Sequence, residues 1–186
     1  MSSSLTAAPP GPGGTELVTG TYEDALAMVG TTREVTFSSH RVTWALIKYF
    51  CAMVRDANAS YWDEEFARAQ WGGVVSPPAL LLTWVMAPEW SPGDPLPAPM
   101  LLGRVPLPDP TVISVGTDME FFRPIRVGDR LNAEETLREV TPRKTTRLGS
   151  GHFLSTESVY RLGDGTPVAR YVHELFRFTP GEAGAR

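Results

Sequence analysis

The chain has 186 residues, of which 42% are hydrophobic and 20% are charged, a balance typical of one soluble globular domain with a single core. Its net charge of -4 argues against a nucleic-acid-binding surface, which is ordinarily strongly basic. A single cysteine excludes an intrachain disulfide, and the start of the chain has no basic region followed by an apolar run. A cytoplasmic location is therefore the simplest prediction.

The two ends of the chain differ from its middle in composition. Residues 1–14 are rich in Ser, Ala, Pro and Gly, and residues 181–186 contain only small and charged residues. Such segments cannot bury enough apolar surface to hold a fixed conformation, so both are predicted to be disordered tails. The predicted organisation is a single domain over residues 15–180 between these tails.

The first predicted elements of the domain are a short strand and a helix. Residues 31–37 can form the strand, and Ser38 and Ser39 are candidate N-caps for the helix that follows. Apolar residues recur at helical spacing over 40–54, which predicts an amphipathic helix. Cys51 lies within its apolar pattern, so a buried thiol is favoured over a nucleophile.

The next segments predict a short helix, a buried helix and a long connection. Residues 64–70 can form the short helix. Pro77 and Pro78 open a segment that is apolar all round, which predicts a helix over about 77–87 enclosed by the core. Residues 88–110 contain eight prolines and no periodicity, which is typical of a functional flap or a flexible connection.

The second half of the chain has the residue pattern of β-strands. Four runs are partly alternating and rich in aromatic and β-branched residues, and a GDGT sequence marks a hairpin turn between the last two. Helices followed by long antiparallel strands predict an α+β fold in which a curved sheet wraps around the 77–87 helix. The runs are ISVGTDMEFFRPI, DRLNAEETLREV, GHFLSTESVYRL and PVARYVHELFRF.

The chain contains the stretches YFCAMVRDANASYWDEEFARAQWGGVVSPPALLLTW and GTDMEFFRPIRVGDRLNAEETLREVTPRK. These stretches resemble the MaoC-like hydratase/dehydratase family, in particular its N-terminal-type dehydratase domain, and the likeness extends over roughly residues 17–178. Phe122, Pro124, Gly128 and Asp129 form its supporting signature. The resemblance implies the hotdog fold and the reversible hydration of 2-enoyl thioesters to (3R)-3-hydroxyacyl thioesters.

The working motif of that family is Asp-x-Asn-Pro-x-His. A carboxylate and a near-neutral imidazole suit the chemistry, because water must lose one proton while the α-carbon gains another. This chain matches the motif at Asp56 and Asn58, but Ala59 replaces the proline and Tyr61 replaces the histidine. A phenol, whose ordinary pKa is about 10, is a poor proton shuttle at neutral pH.

The oxyanion hole that the resemblance implies is also altered. Family members usually carry Ala-His-Gly at the start of the central helix, where a backbone N–H polarises the thioester carbonyl. This chain has Ser76-Pro77-Pro78 at that point, and neither proline has an N–H to donate. Two catalytic parts are therefore missing together.

The resemblance thus implies a non-catalytic half of a heteromeric dehydratase or hydratase. A catalytic MaoC-like hotdog subunit would supply the Asp/His pair, in a heterodimer or heterotetramer, while this chain shapes a pocket for a bulky acyl group such as a long acyl, polyketide or steroid side chain. Coenzyme A or acyl carrier protein would belong to the substrate, and no cofactor is predicted. Two alternatives stay open: a self-sufficient homodimeric enzyme that uses Asp56, and a non-enzymatic module that binds acyl thioesters.

The candidate site residues follow from these motif positions. Asp56 and Tyr61 occupy the catalytic positions, although Asp56 can instead cap the turn after the helix and Tyr61 can instead fill core space. The three histidines lack metal-ligand spacing, so no metal site is predicted. The predicted substrate-binding residues are Asn58, Trp62, Gly73, Val75, Ser76 and Trp84.

Overall fold

A computed structural model describes residues 17–33, 36–38, 40–86 and 100–181. The predicted tails, apart from Gly181, and residues 88–99 of the Pro-rich connection lie outside this described part. No helix of the described residues is long and apolar enough to cross a membrane. The α-helices are α1 (Tyr22–Ala27), α2 (Trp44–Val54), α3 (Ala59–Trp62), α4 (Glu64–Trp71) and α5 (Leu101–Arg104).

An antiparallel sheet forms the second half of the molecule. Its strands lie in the order β1-β3-β5-β6-β2, and β4 pairs with β5 beside this path. All four predicted strands are confirmed, and Gly165 adopts a φ of 87° in the turn of the predicted GDGT hairpin. The strands are β1 (Thr36–Phe37), β2 (Thr111–Phe121), β3 (Leu131–Val140), β4 (Lys144–Thr146), β5 (Gly149–Leu162) and β6 (Pro167–Pro180).

The prediction for the segment before α2 is only partly confirmed. Of the strand expected over 31–37, the described residues show β1 and an isolated bridge between Thr32 and Thr136, and residues 34 and 35 lie outside the described part. Ser38 is not a helix cap: its hydroxyl bonds the backbone of His40, and Ser39 lies outside the described residues. The N-cap of α2 is Thr43, whose own backbone is extended.

Helix α2 is confirmed as a helix, although Tyr49 and Met53 of its apolar pattern are each 74% exposed. It begins four residues later than predicted and ends at Arg55, which takes a left-handed conformation with a φ of 58°. Ile47 and Cys51 are fully buried on its core side, so the prediction of a buried thiol is confirmed. Burial and the nearby Asp56 carboxylate raise the pKa of Cys51, which keeps the thiol protonated.

The segment at 77–87 is buried as predicted but is not one continuous helix. It forms two short 3-10 helices, Pro78–Leu80 and Leu82–Trp84. Two consecutive prolines cannot donate backbone hydrogen bonds, and bonds from Leu80 to Pro77 and from Leu81 to Pro78 tighten the first turn. Residue 87 lies outside the described part of the chain.

The face of the sheet that packs against the helices is the inner face, and its apolar residues form two separate clusters. The first joins Leu81 and Trp84 to Tyr160, Ala169 and Tyr171 of β5 and β6. The second joins α1 and α5 to other residues of the sheet, of which Leu137, Leu154 and Leu175 are examples. The degenerate motif lies over the first cluster, so this end of the sheet positions the candidate site.

Candidate functional site

The degenerate motif forms the turn between α2 and α3. The carboxylate of Asp56 accepts a 3.0 Å hydrogen bond from the N–H of Asn58. The side-chain oxygen of Asn58 in turn accepts a 3.0 Å bond from the N–H of Ser60 and so caps α3. Asp56 and Asn58 therefore make the contacts of a turn cap, which was the alternative to a catalytic role.

Tyr61 lies in the core at the position of the family's histidine. Its side chain is 8% exposed and belongs to the first apolar cluster. Burial raises the pKa of its phenol, and the charges of Asp56 and Cys51 raise it further. At neutral pH the phenol keeps its proton, so it can donate a hydrogen bond but cannot act as a base.

Four tryptophan indoles hold the motif turn and the segment after α4 in place. Each indole N–H donates to an oxygen within these two segments, so a polar ring edge is satisfied while the ring itself covers apolar surface. These tryptophans therefore have a structural role. The pairs are Trp44 to Tyr61 O (2.7 Å), Trp62 to Asp56 O (2.7 Å), Trp71 to Ser60 Oγ (3.0 Å) and Trp84 to Ser76 Oγ (2.7 Å).

The segment in place of Ala-His-Gly has little capacity to bind an oxyanion. The N–H of Ser76 donates to Ile125 O at 2.7 Å, and the N–H of Leu80 donates to Pro77 O at 3.0 Å. Pro77 and Pro78, between them, have no N–H. Neither proline position can therefore donate a backbone hydrogen bond to a negative charge on a thioester oxygen.

An aromatic pocket of about 360 Å³ lies beside this segment. Its walls come from Tyr61 and Trp71, from three residues of the 75–78 segment, and from residues 121–125 at the end of β2. Arg123 is the cationic group in this lining. The pocket is mainly apolar, which suits the apolar part of a small-molecule ligand.

A second pocket of about 350 Å³, the helix-end pocket, lies at the C-terminal end of α2. Asp56 and Trp62 line it together with Cys51, Ala52, Arg55 and Ala57. The two motif positions thus line different pockets, since Tyr61 lines the aromatic pocket.

The predicted site residues are only partly brought together. Val75 and Ser76 line the aromatic pocket with Tyr61, whereas Asn58, Gly73 and Trp84 line neither of the two pockets. Trp84 is 1% exposed and is a core residue. The catalytic and binding roles assigned to these residues remain predictions.

The aromatic pocket also contains residues that the motif analysis did not select. Phe121, Phe122 and Arg123 come from a strand end about 60 residues after the motif. Phe122 and Pro124 belong to the supporting signature of the family. A match to that signature does not show which cavity the residues line, so the sequence alone did not assign them to a site. Among the described residues, no three metal-binding side chains come together.

The sheet order and the helices on its inner face define an α+β protein of the hotdog class. A family model described as FAS1-like, dehydratase domain region, matches residues 27–171. This chain belongs to that family, within the MaoC-like hydratases and dehydratases, as its sequence predicted. The MaoC-like dehydratase from Rhodospirillum rubrum has a similar structure, with a TM-score of 0.57 and 25% identity over 82% of this chain and 94% of that one.

The similar proteins include subunits of heteromeric enzymes. The chain is 31% identical over 171 residues to a probable enoyl-CoA hydratase alpha subunit of Thermomonospora curvata, covering 86% of this chain and 52% of that protein. It is 28% identical over 155 residues to the 3-oxo-4,17-pregnadiene-20-carboxyl-CoA hydratase alpha subunit of Mycobacterium tuberculosis, covering 75% and 45%. The chain therefore spans about half the length of these relatives.

A solved complex has a closely similar fold. A chain of the ChsH1-ChsH2 complex from Mycobacterium tuberculosis matches with a TM-score of 0.70 and 22% identity, over 86% of this chain and 92% of that one. At this identity the match establishes the fold alone.

Proposed function

We propose that this chain is the non-catalytic hotdog subunit of a heteromeric enoyl-CoA hydratase or (3R)-3-hydroxyacyl-thioester dehydratase. The observation that carries the proposal is the buried phenol of Tyr61 at the histidine position, beside a helix start where Pro77 and Pro78 have no N–H. A protonated phenol and two prolines cannot replace a base and an oxyanion hole. The partner subunit supplies the Asp/His pair.

The partner docks along β2 in this proposal. Within the described chain this 11-residue strand pairs only with β6, and it forms one edge of the sheet. Val112, Val115 and Met119 are each about 40% exposed on it. A long, partly apolar edge strand favours the addition of a partner strand. The alpha-subunit names of the two relatives support a heteromer.

The substrate in this proposal is a bulky acyl thioester, carried by coenzyme A or by acyl carrier protein. The aromatic pocket supports a large apolar acyl group. The name of the mycobacterial relative adds support for a steroid side-chain thioester. Arg123 at the pocket is available to an anionic group of the carrier.

The test is to co-express the chain with a MaoC-like partner that contains an intact Asp/His motif. Hydration of 3-oxo-4,17-pregnadiene-20-carboxyl-CoA is then measured for each chain alone and for the purified complex. The proposal expects this chain alone to be inactive, and the complex to lose activity when the partner's Asp or His is replaced. Full activity of this chain by itself would favour the self-sufficient enzyme, and binding without turnover in any complex would favour the non-enzymatic module.

A further inference from the structure

A row of polar side chains crosses the inner face where the two apolar clusters meet, and Tyr171 of the first cluster belongs to it. The strand register places Glu135 opposite Ser158, Ser158 opposite Tyr171, and Thr156 opposite His173. On β2, Thr117 lies opposite His173. We call these residues, together with Ser114, the polar belt.

Four members of the belt have a polar atom without a hydrogen-bond partner in the described chain. Thr156, Ser158 and Tyr171 are 2%, 8% and 6% exposed, and their hydroxyls make no hydrogen bond to another residue of the described chain. The Nδ1 atom of His173 is likewise buried without a partner, while its Nε2 lies 3.0 Å from Ser114 Oγ. Among these four groups the His173 ring nitrogen is the fully buried atom, and the three hydroxyl oxygens keep some solvent access. Buried polar groups are nearly always hydrogen-bonded in proteins, so this nitrogen beside three unpaired hydroxyls indicates an additional binding partner.

The belt lies on the same face of the sheet as Phe121 of the aromatic pocket. Phe121 lines the pocket and lies on the inner face of β2, two residues from Met119 and four from Thr117. Met119 is opposite Tyr171 in the register, so the belt begins about 7 Å from Phe121 and extends to about 14 Å from it. Met119 is 39% exposed and Thr117 is exposed, which leaves this strip of β2 accessible.

The side chains of the belt favour a ligand that carries an uncharged oxygen atom. Hydroxyls and a neutral imidazole can donate to a carbonyl or exchange hydrogen bonds with a hydroxyl. Burial lowers the pKa of His173, which favours the neutral ring. A carboxylate ligand is disfavoured because Glu135 lies in the same row; its own carboxylate accepts from Leu101 N–H at 3.1 Å and lies 3.7 Å from Arg33. A plain alkyl chain would leave the hydroxyls unpaired.

We infer that the polar belt binds a keto or hydroxyl group at the far end of the acyl group whose near end occupies the aromatic pocket. This inference rests on the proposed function and narrows its substrate class. The acyl group is elongated and mainly apolar, and it carries an oxygen remote from the thioester, as steroid and polyketide acyl groups do and simple fatty acyl groups do not.

The experiment compares two thioesters on the complex of this chain with its catalytic partner. One is 3-oxo-4,17-pregnadiene-20-carboxyl-CoA and the other is its 3-deoxy analogue. The expected result is a kcat/KM at least about tenfold higher for the 3-oxo compound, because a site with unpaired polar groups discriminates against a ligand that lacks the matching oxygen. Direct binding by calorimetry gives the same comparison where turnover is too slow.

Two isosteric variants test whether the belt hydroxyls cause the difference in kcat/KM between the two thioesters. Tyr171→Phe and Thr156→Val each remove a belt hydroxyl and should bring the ratio of the two kcat/KM values toward one. Ser155→Ala is the matched control, because Ser155 is adjacent to Thr156 but points to the opposite face of β5. It should leave the ratio unchanged.

The outcomes separate the inference from the proposed function. Equal kcat/KM for both thioesters, or a preference that survives both belt variants, would overturn the inference while hydration by the complex stands. A complex that hydrates neither compound would overturn the proposed function, and the inference with it. A belt that holds only ordered water would shift the unfolding temperature of the variants without any change in the ratio, which also contradicts the inference.

Discussion

The indole N–H of Trp84 donates a 2.7 Å hydrogen bond to Ser76 Oγ, across the segment that replaces the family's oxyanion hole. Trp84 is 1% exposed, and the hydroxyl of Ser76 also donates to Pro77 O at 3.1 Å. The hydroxyl thus ties the two 3-10 turns back to their own start. In this chain the segment anchors the core, which accords with the loss of its catalytic backbone donors.

Replacement of Ser76 by alanine should lower the free energy of unfolding by about 1–3 kcal/mol, because the buried indole N–H of Trp84 loses its acceptor. Chemical denaturation monitored by fluorescence measures the loss. Ser60→Ala is the matched control: Ser60 Oγ accepts from Trp71, whose ring is 43% exposed and can hydrogen-bond water instead. Equal losses in the two variants would contradict the anchoring role of Ser76.

Asp56→Asn should leave hydration by the complex unchanged to within about twofold. Asparagine keeps a side-chain oxygen for the N–H of Asn58, so the turn is preserved while the charge is lost. If Asp56 were a general acid or base, turnover would fall by a factor of about 100 or more. Asp56→Ala provides the structural comparison, since it removes the cap and should cost about 1 kcal/mol of stability.

Much of the fold could be predicted from the sequence, because in several elements the spacing of apolar residues matches the residues that are buried. Helix α2 buries Ile47 and Cys51 at a spacing of four residues, and β5 alternates buried and half-buried residues along most of its length. The 77–87 segment was harder to predict because an all-apolar run indicates burial but not helix type. Its 3-10 turns depend on two prolines and on the contact between Trp84 and Ser76, which joins residues eight positions apart.

The candidate site was less predictable than the fold. A spacing of five residues put Asp56 and Tyr61 in one motif, but a turn separates them and they line different pockets. Trp84 is aromatic and near the motif, yet tertiary packing places it in the core. The polar belt could not be found from single strands, because Thr156 and His173 become neighbours only through the register of β5 and β6.

Arg177→Lys should destabilise the protein by about 2–4 kcal/mol, as judged from its denaturation midpoint. The guanidinium is 2% exposed and donates to four backbone carbonyls, those of Val18, Val105, Leu107 and Asp109, at 2.6–2.8 Å. A lysine has one ammonium group and cannot satisfy four separated carbonyls. Arg161→Lys is the control, because that guanidinium makes one 3.4 Å bond to Gly165 O; an equal loss there would contradict the role of Arg177.

Stability should fall as the pH rises above about 10, because three buried phenols hold their protons more strongly in the folded state. Burial raises the pKa of Tyr160, and it also raises those of Tyr61 and Tyr171. Below the unfolded pKa both states are protonated and the groups contribute no pH dependence. Above it the unfolded chain releases protons that the folded chain retains, so each such phenol costs about 1.4 kcal/mol per pH unit.

Tyr160→Phe should therefore make the alkaline decline in stability less steep, as measured by denaturation between neutral and strongly alkaline pH. Tyr160 is 2% exposed, and its hydroxyl makes no hydrogen bond to another described residue, so the substitution removes the titrating proton with little change in packing. Tyr49→Phe, at a ring that is 74% exposed, is the control and should leave the slope unchanged. An unaltered slope in Tyr160→Phe would mean that this phenol loses its proton as readily in the core as in water.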